Sequence, residues 1–295
     1  MATLFSLRDE TGENKPKTIE QLLTPEIQIV PVNNGYLVTW SVSNVYLLAN
    51  SKVTLLYAIH SKENIEKQVD VTGLNYYLIP YLQHYPYGQK IQWVKLRVEK
   101  QTTAGQLVVE TPWRELYTTE DPIFNYVTQI QQRFIESRNS VTLFLYKLRY
   151  GGELCTKCFN YTLMKPSDPF CPECLGTGFK GGYWPAQPIR ALIIGSPQKV
   201  LIRKYYIDSP TAWTFRVMAD KWLAVGDVLF LPMTGTWLTV SHLIEQRYGA
   251  IPFTSIVACS ELDEDSVQAR KLVVPSYDRK DIDLNLNISP KLPEV

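Results

Sequence analysis

Four of the five cysteines fall within twenty residues, as Cys155-x2-Cys158-x12-Cys171-x2-Cys174. Two CxxC pairs one short loop apart are the spacing of a metal site rather than of a disulfide framework. Each pair offers two sulfur ligands from one tight turn, and residues 159–170 are long enough to return the second pair to the first. Pro172 inside the second knuckle and Gly176 after it suit the tight turn. Four thiolates complete a tetrahedron and leave no open coordination position, so the expected ion is a structural Zn²⁺, one per chain, held by Cys155, Cys158, Cys171 and Cys174. Two disulfides or four reduced thiols are the alternatives, and iron fits the same spacing. Cys259 stands alone in the β pattern Ser255-Ile-Val-Ala-Cys259 and reads as a small core residue.

The remainder of the 295 residues must supply its own cores. Apolar residues make up 45% and charged residues 20%, which excludes a disordered chain. Lys plus Arg is 30 against 29 for Asp plus Glu, a net charge of +1 that gives no electrostatic case for coating nucleic acid. Aromatics at 12% and 19 prolines favour short strands and turns over long helices. No stretch approaches the roughly 20 apolar residues that cross a bilayer, and residues 1–14 lack an apolar signal core. The expectation is a soluble protein, made in a reducing compartment, with no membrane partner.

The chain divides by pattern into a mainly β protein. Residues 1–24 are charged and read as a flexible arm, with one helical turn at 18–23. Residues 25–118 carry candidate strands at 26–32, 36–42, 53–59, 76–80, 89–98 and 106–110, separated by turn residues such as Asn33-Asn34-Gly35 and Pro86-Tyr87-Gly88. Short strands at this density predict a β-sandwich. Residues 119–150 hold a helix and a connecting strand. Asp121 and Pro122 open the helix over 121–138, and Ile123, Val127, Ile130 and Phe134 line one face. An apolar run at 141–148 follows. Residues 151–188 are the cysteine module. Residues 189–276 return to β, with strands expected at 189–194, 200–207, 213–217, 227–231, 237–244, 254–260 and 270–274, and predict a small barrel. Residues 277–295 read as an extended tail.

Other chemistry is thin. Gly176-Thr-Gly178-Phe-Lys-Gly181 matches G-x-G-x-x-G, but a cysteine knuckle precedes it and Gly182-Tyr-Trp-Pro185 follows, so the strand and helix of a dinucleotide site are missing. The CxxCxGxG element at 171–178 occurs once, unlike the repeated copies of zinc-binding co-chaperones. There is no H-E-x-x-H, G-x-S-x-G or P-loop, and no catalytic residue is assigned. The histidines are His60, His84 and His242; the last reads as a barrel residue. Glu261, Asp263, Glu264 and Asp265 read as a solvated acidic loop, and Lys199, Arg203 and Lys204 as a solvated strand face.

Two resemblances add to this. Trp40 on the second strand and the Tyr-rich fifth connection of residues 25–118 resemble a fibronectin type III domain; another Greek-key sandwich is the alternative. The string Cys155-Thr-Lys-Cys158 … Cys171-Pro-Glu-Cys174-Leu-Gly-Thr-Gly-Phe-Lys-Gly-Gly-Tyr-Trp-Pro185 resembles virion proteins of tailed bacteriophages. Their CxxC…CxxC is followed by GTGF-x-GGY and a proline, and the similarity extends over residues 119–275. It implies a non-enzymatic structural component of the neck or head-to-tail connector, located in the virion after assembly in the bacterial cytoplasm. Its partners would be other virion proteins (portal or adaptor, tail terminator, fibres) and copies of itself in a ring. Contact with packaged DNA is compatible with this, specific nucleic-acid binding is not expected. The rival readings are a baseplate or fibre-attachment adaptor and, from another class, a zinc-ribbon nucleic-acid-processing protein, for which Lys157, Lys165 and Lys180 are the only basic residues in the ribbon.

Overall fold

Alternation sets the first half of the fold. In the computed structural model, which describes residues 19–32, 35–59, 62, 65–80, 92–103, 105–116, 122–137, 140–195, 212–248 and 251–276, strands β1 (Glu26–Val32), β2 (Gly35–Ser41), β3 (Ser51–Ile59), β4 (Ile65–Asp70), β5 (Tyr76–Pro80), β6 (Gln92–Thr102), β7 (Gly105–Glu110) and β8 (Arg114–Leu116) follow one another. One antiparallel sheet has the order β1-β2-β5; the other runs β4-β3-β6-β7, with β8 also on β6. The inward residues of both sheets share one core, among them Tyr36, Val38 and Trp40 from β2, Val53 and Leu55 from β3, and Val94, Leu96 and Val98 from β6. Lys95 and Arg97 point outward and pair with Glu110.

Three differences from the sequence reading arise here. The helical turn expected at 18–23 is present as α1 (Ile19–Leu23), but it is docked rather than part of a flexible arm, with Leu23 fully buried in the sandwich core. Strand β4 was not expected, because Ile-Glu-Lys-Gln-Val-Asp is a mostly polar edge strand with little apolar alternation. Pro112 interrupts the last strand between β7 and β8, and Thr111 fills the break: its N–H donates to the Leu96 carbonyl at 2.9 Å, and its hydroxyl accepts the Leu96 N–H at 2.9 Å.

The second half is a closed barrel. Strands β9 (Ser140–Tyr146), β12 (Gln187–Gly195), β13 (Ala212–Met218), β14 (Val228–Leu231), β15 (Thr236–Tyr248) and β16 (Ile251–Glu261) close in the order β12-β13-β16-β15-β14-β9. The run at 141–148 is therefore a barrel strand rather than a connection, since β9 pairs with both β12 and β14. The cysteine module, containing the short strands β10 (Phe159–Asn160) and β11 (Lys165–Pro166), is an insertion between the paired neighbours β9 and β12. Leu143, Leu145, Phe215, Leu229, Leu238, Val257 and Cys259 fill the barrel.

Helix α2 (Pro122–Ile135) packs near β12, β13 and β16. It buries Thr128 and Ile135, while Ile130 and Phe134 of the expected face are 43% and 53% exposed. Periodicity finds an apolar stripe but not which stripe a neighbour covers. Of the expected strand at 270–274, Arg270 and Lys271 instead end helix α3 (Val267–Lys271), begun by Ser266, whose hydroxyl accepts the Ala269 N–H at 3.2 Å, and residues 272–274 are irregular. The expected strand at 200–207, the arm 1–18 and the tail 277–295 lie outside the described residues, as do His60, His84, Lys199, Arg203 and Lys204. Among the described residues no helix is long and apolar enough to cross a membrane.

Candidate metal centre

The cysteines are the module's own core; its other buried side chains, Phe159, Leu175, Phe179 and Tyr183, pack against neighbouring elements. Cys155, Cys158, Cys171 and Cys174 are all buried and form a cluster of their own. Their Sγ atoms lie within 4.8 Å of one another, with Cys155–Cys171 at 3.7 Å and Cys158–Cys174 at 3.3 Å. None is disulfide-bonded. Sulfurs placed tetrahedrally around an ion about 2.3 Å away are about 3.8 Å apart, so the four could hold a metal ion and are compatible with structural zinc. All four ligand positions read from the spacing are thus brought together.

The surroundings act differently on the sulfurs, and burial pushes the Cys158 thiol up. Burial raises the Cys171 thiol, but N–H groups of Glu173 and Cys174 aimed at its sulfur, together with the neighbouring Cys158 and Cys155 thiols, outweigh this and bring it down to about 7. At Cys174 burial dominates and pushes the thiol up, against N–H groups of Gly176 and Gly178. The residues that follow the knuckle supply these donors in sharp turns. Gly182 has φ +65°, and a Cβ there would lie 2.7 Å from the Cys174 carbonyl oxygen. Gly178 has φ +86°, and its Cβ would meet the Tyr46 ring at 2.8 Å. Gly178, within the string that imitates a dinucleotide fingerprint, and Gly182, just after it, therefore wrap the cysteine knuckle and let the sandwich approach it.

That approach makes the module a joint. Tyr46, in a 3-10 turn at Val45–Leu48, packs on Phe159 and Phe179 at 5.1 and 5.4 Å between ring centroids, and its hydroxyl donates to the Thr177 carbonyl at 3.2 Å. Ala49 bridges to Gly152. The Trp184 indole N–H donates to the Gly73 carbonyl at 3.1 Å. On the other side, the Gln268 amide of α3 donates to the Leu175 carbonyl at 3.2 Å, and Leu175 belongs to an apolar cluster with the barrel residues Phe144, Tyr146, Val228 and Trp237.

A buried ion pair that sequence reasoning missed lies beside this joint. Lys147 follows β9 and Asp227 precedes β14; their side chains are 2% and 0% exposed and meet at 2.5 Å. Asp227 also accepts the N–H groups of Leu148 at 2.9 Å and Ala224 at 2.7 Å, and Lys147 donates to the Trp222 carbonyl at 3.0 Å. Lys147 sits 5.2 Å from the centroid of the Tyr76 ring of β5, so sandwich and barrel meet at this pair. Burial pushes the Lys147 ammonium down and the Asp227 carboxyl up, and the pairing opposes both shifts. A lysine at the end of an otherwise apolar run was the one available signal; its partner, eighty positions on, gave none.

The remaining candidates are accounted for separately. Cys259 is fully buried in the barrel, and burial pushes its thiol up to about 12. His242 is exposed on β15, just after a bulge at Ser241. Glu261, Asp263, Glu264 and Asp265 are exposed. Lys157 and Lys180 of the module face Glu173 at 3.9 Å and Glu153 at 3.2 Å. Compared with known proteins, the chain matches no family model and no curated protein.

Proposed function

We propose that this chain is a non-enzymatic structural component of a tailed phage particle, a neck or connector subunit joining head and tail. The observation that carries the reading is the closed four-cysteine cluster at the joint between sandwich and barrel. Four thiolates around Zn²⁺ leave no position for substrate or water, so the ion serves the fold. An ion held there stiffens a loop-rich insertion that has almost no core of its own, and with it the placement of one β body on the other. A protein that transmits load between two large assemblies needs that placement fixed. The knuckle string through Pro185 supports the virion assignment, and the facing sheets β1-β2-β5 and β4-β3-β6-β7 support a fibronectin type III-like module, a kind of domain suited to a particle's exterior.

Immunogold labelling of particles that contain the chain tests the position. Label at the head–tail junction is expected. Label confined to the distal tail would favour the baseplate or fibre-attachment adaptor and overturn the neck assignment. For the nucleic-acid-processing alternative, filter binding with a salt series is decisive: nanomolar, salt-sensitive DNA binding would replace the structural reading.

A further inference from the structure

Among the described residues the sandwich leaves four sheet edges, and they are not protected alike. On β1, Pro31 removes a donor, and β1 lies close to β16. On β5, Tyr76 and Leu78 are half-buried in a cluster with Ala219 and Trp222 of the barrel side. On β4, Lys67 is exposed, opposite Tyr57, and the pairing is bulged beside it. A lysine on the edge strand and a bulge are devices that discourage further pairing. Strand β7 has neither device. It is regular against β6 over all six residues, Leu107 and Val109 face inward, and Val108 is 49% exposed. The only interruption comes after it, at Pro112.

The sequence beyond the described residues contains a segment that fits such an edge. In Asp281-Ile-Asp-Leu-Asn-Leu-Asn-Ile288 the apolar residues Ile282, Leu284, Leu286 and Ile288 alternate strictly with Asp and Asn. A period of two with one apolar face is the pattern of a half-buried strand. Only residues 277–280 separate it from Ser276, a reach of about 17 Å. The segment preceding Ser276 is bonded to the module and barrel, through Gln268 to Leu175 and through the Tyr146 hydroxyl to the Val273 carbonyl, whereas the sandwich meets the module through Tyr46, Ala49 and Gly73.

We propose that residues 281–288 of one copy add as an extra strand to the edge of β7, unpaired among the described residues, in a second copy. The donor's apolar face continues the inward row of Leu107 and Val109, and its Asp and Asn residues join Gln106 and Glu110 on the outer face. Main-chain hydrogen bonds supply affinity and the alternating side chains set register. Each copy offers one donor and one acceptor edge at different places, so the contact is head-to-tail and closes a ring or propagates. The inference goes beyond the virion reading and stands without it, because it concerns only self-association.

The test uses the full chain with a benzophenone amino acid at position 286, in an equal mixture of light and heavy isotope-labelled copies. Irradiation should yield cross-links between position 286 and the peptide bearing residues 105–110, with mixed light–heavy products. Leu284→Asp with Leu286→Asp should weaken self-association in sedimentation by about a hundredfold or more, since two buried leucines are replaced by charges, with the unfolding midpoint of the monomer unchanged. A chain that stays monomeric, cross-links only within one copy, or associates equally well with both aspartates overturns the proposal.

Discussion

Asp227→Asn is the sharpest probe of how the two β bodies are held. The substitution keeps shape and removes charge. In the parent, the Asp227 carboxylate accepts three bonds, from Lys147, Leu148 and Ala224, while fully buried. The asparagine has one acceptor oxygen and two donors, so at least one of these donors faces another. Lys147, 2% exposed, is left with the Trp222 carbonyl and the Tyr76 ring. Breaking a buried pair by removing one partner costs about 3–5 kcal/mol, and orphaning a buried donor is itself worth about 1–3 kcal/mol. The expected loss is about 4 kcal/mol, or about 10 °C in the melting midpoint for a unit of this size. Calorimetry of Asp227→Asn, Lys147→Met and the double variant reads it. The double variant should recover about 2 kcal/mol relative to additivity, because it removes both charges. A shift under about 1 kcal/mol for Asp227→Asn, with no coupling, refutes the reasoning.

Three smaller outcomes follow from the same contacts. Gly182→Ala places a Cβ 2.7 Å from the Cys174 carbonyl at φ +65° and should weaken metal retention against a chelator competitor, while the more distant Gly105→Ala, with nothing within 4 Å, should not. Tyr46→Phe removes one hydrogen bond to Thr177 but keeps the ring contacts, so a loss of about 1 kcal/mol by denaturant unfolding is expected, against about 3–5 kcal/mol for Tyr46→Ala. Glu110 is held below its ordinary carboxyl value by hydrogen bonds from Lys95 and, against burial, from Arg97. A depressed carboxyl stabilises fully above its unfolded value and loses that contribution as pH falls through its folded value; Glu110→Gln should therefore lower stability at neutral pH, change little in strong acid, and so flatten the acid limb of the stability–pH curve.

What was legible in the sequence was what is local. The cysteine cluster follows from spacing alone, because a knuckle is a feature of four consecutive residues and one loop. Strands β1 and β5 were read to the residue, since apolar alternation and flanking turn residues mark them. The barrel was legible as a class, but β9 was not assigned to it, because closure depends on pairing with β14, eighty residues away. The Lys147–Asp227 pair was hidden for the same reason. Helix α2 was legible as a helix, while the face it buries was decided by the barrel rather than by its own stripe. Arg270–Val274, rich in β-branched residues, looked like a strand until the Ser266 cap decided otherwise.

The central claim is that Cys155, Cys158, Cys171 and Cys174 hold one structural zinc that fixes the joint. Native mass spectrometry of the full-length chain, with and without a strong chelator and paired with circular dichroism, tests it most directly. The account predicts one zinc per chain, lost together with the near-ultraviolet signal of the packed aromatics at the joint, among them Tyr46, Phe159 and Phe179. A chain that carries no metal, or one that gives up its zinc with those aromatics undisturbed, contradicts it.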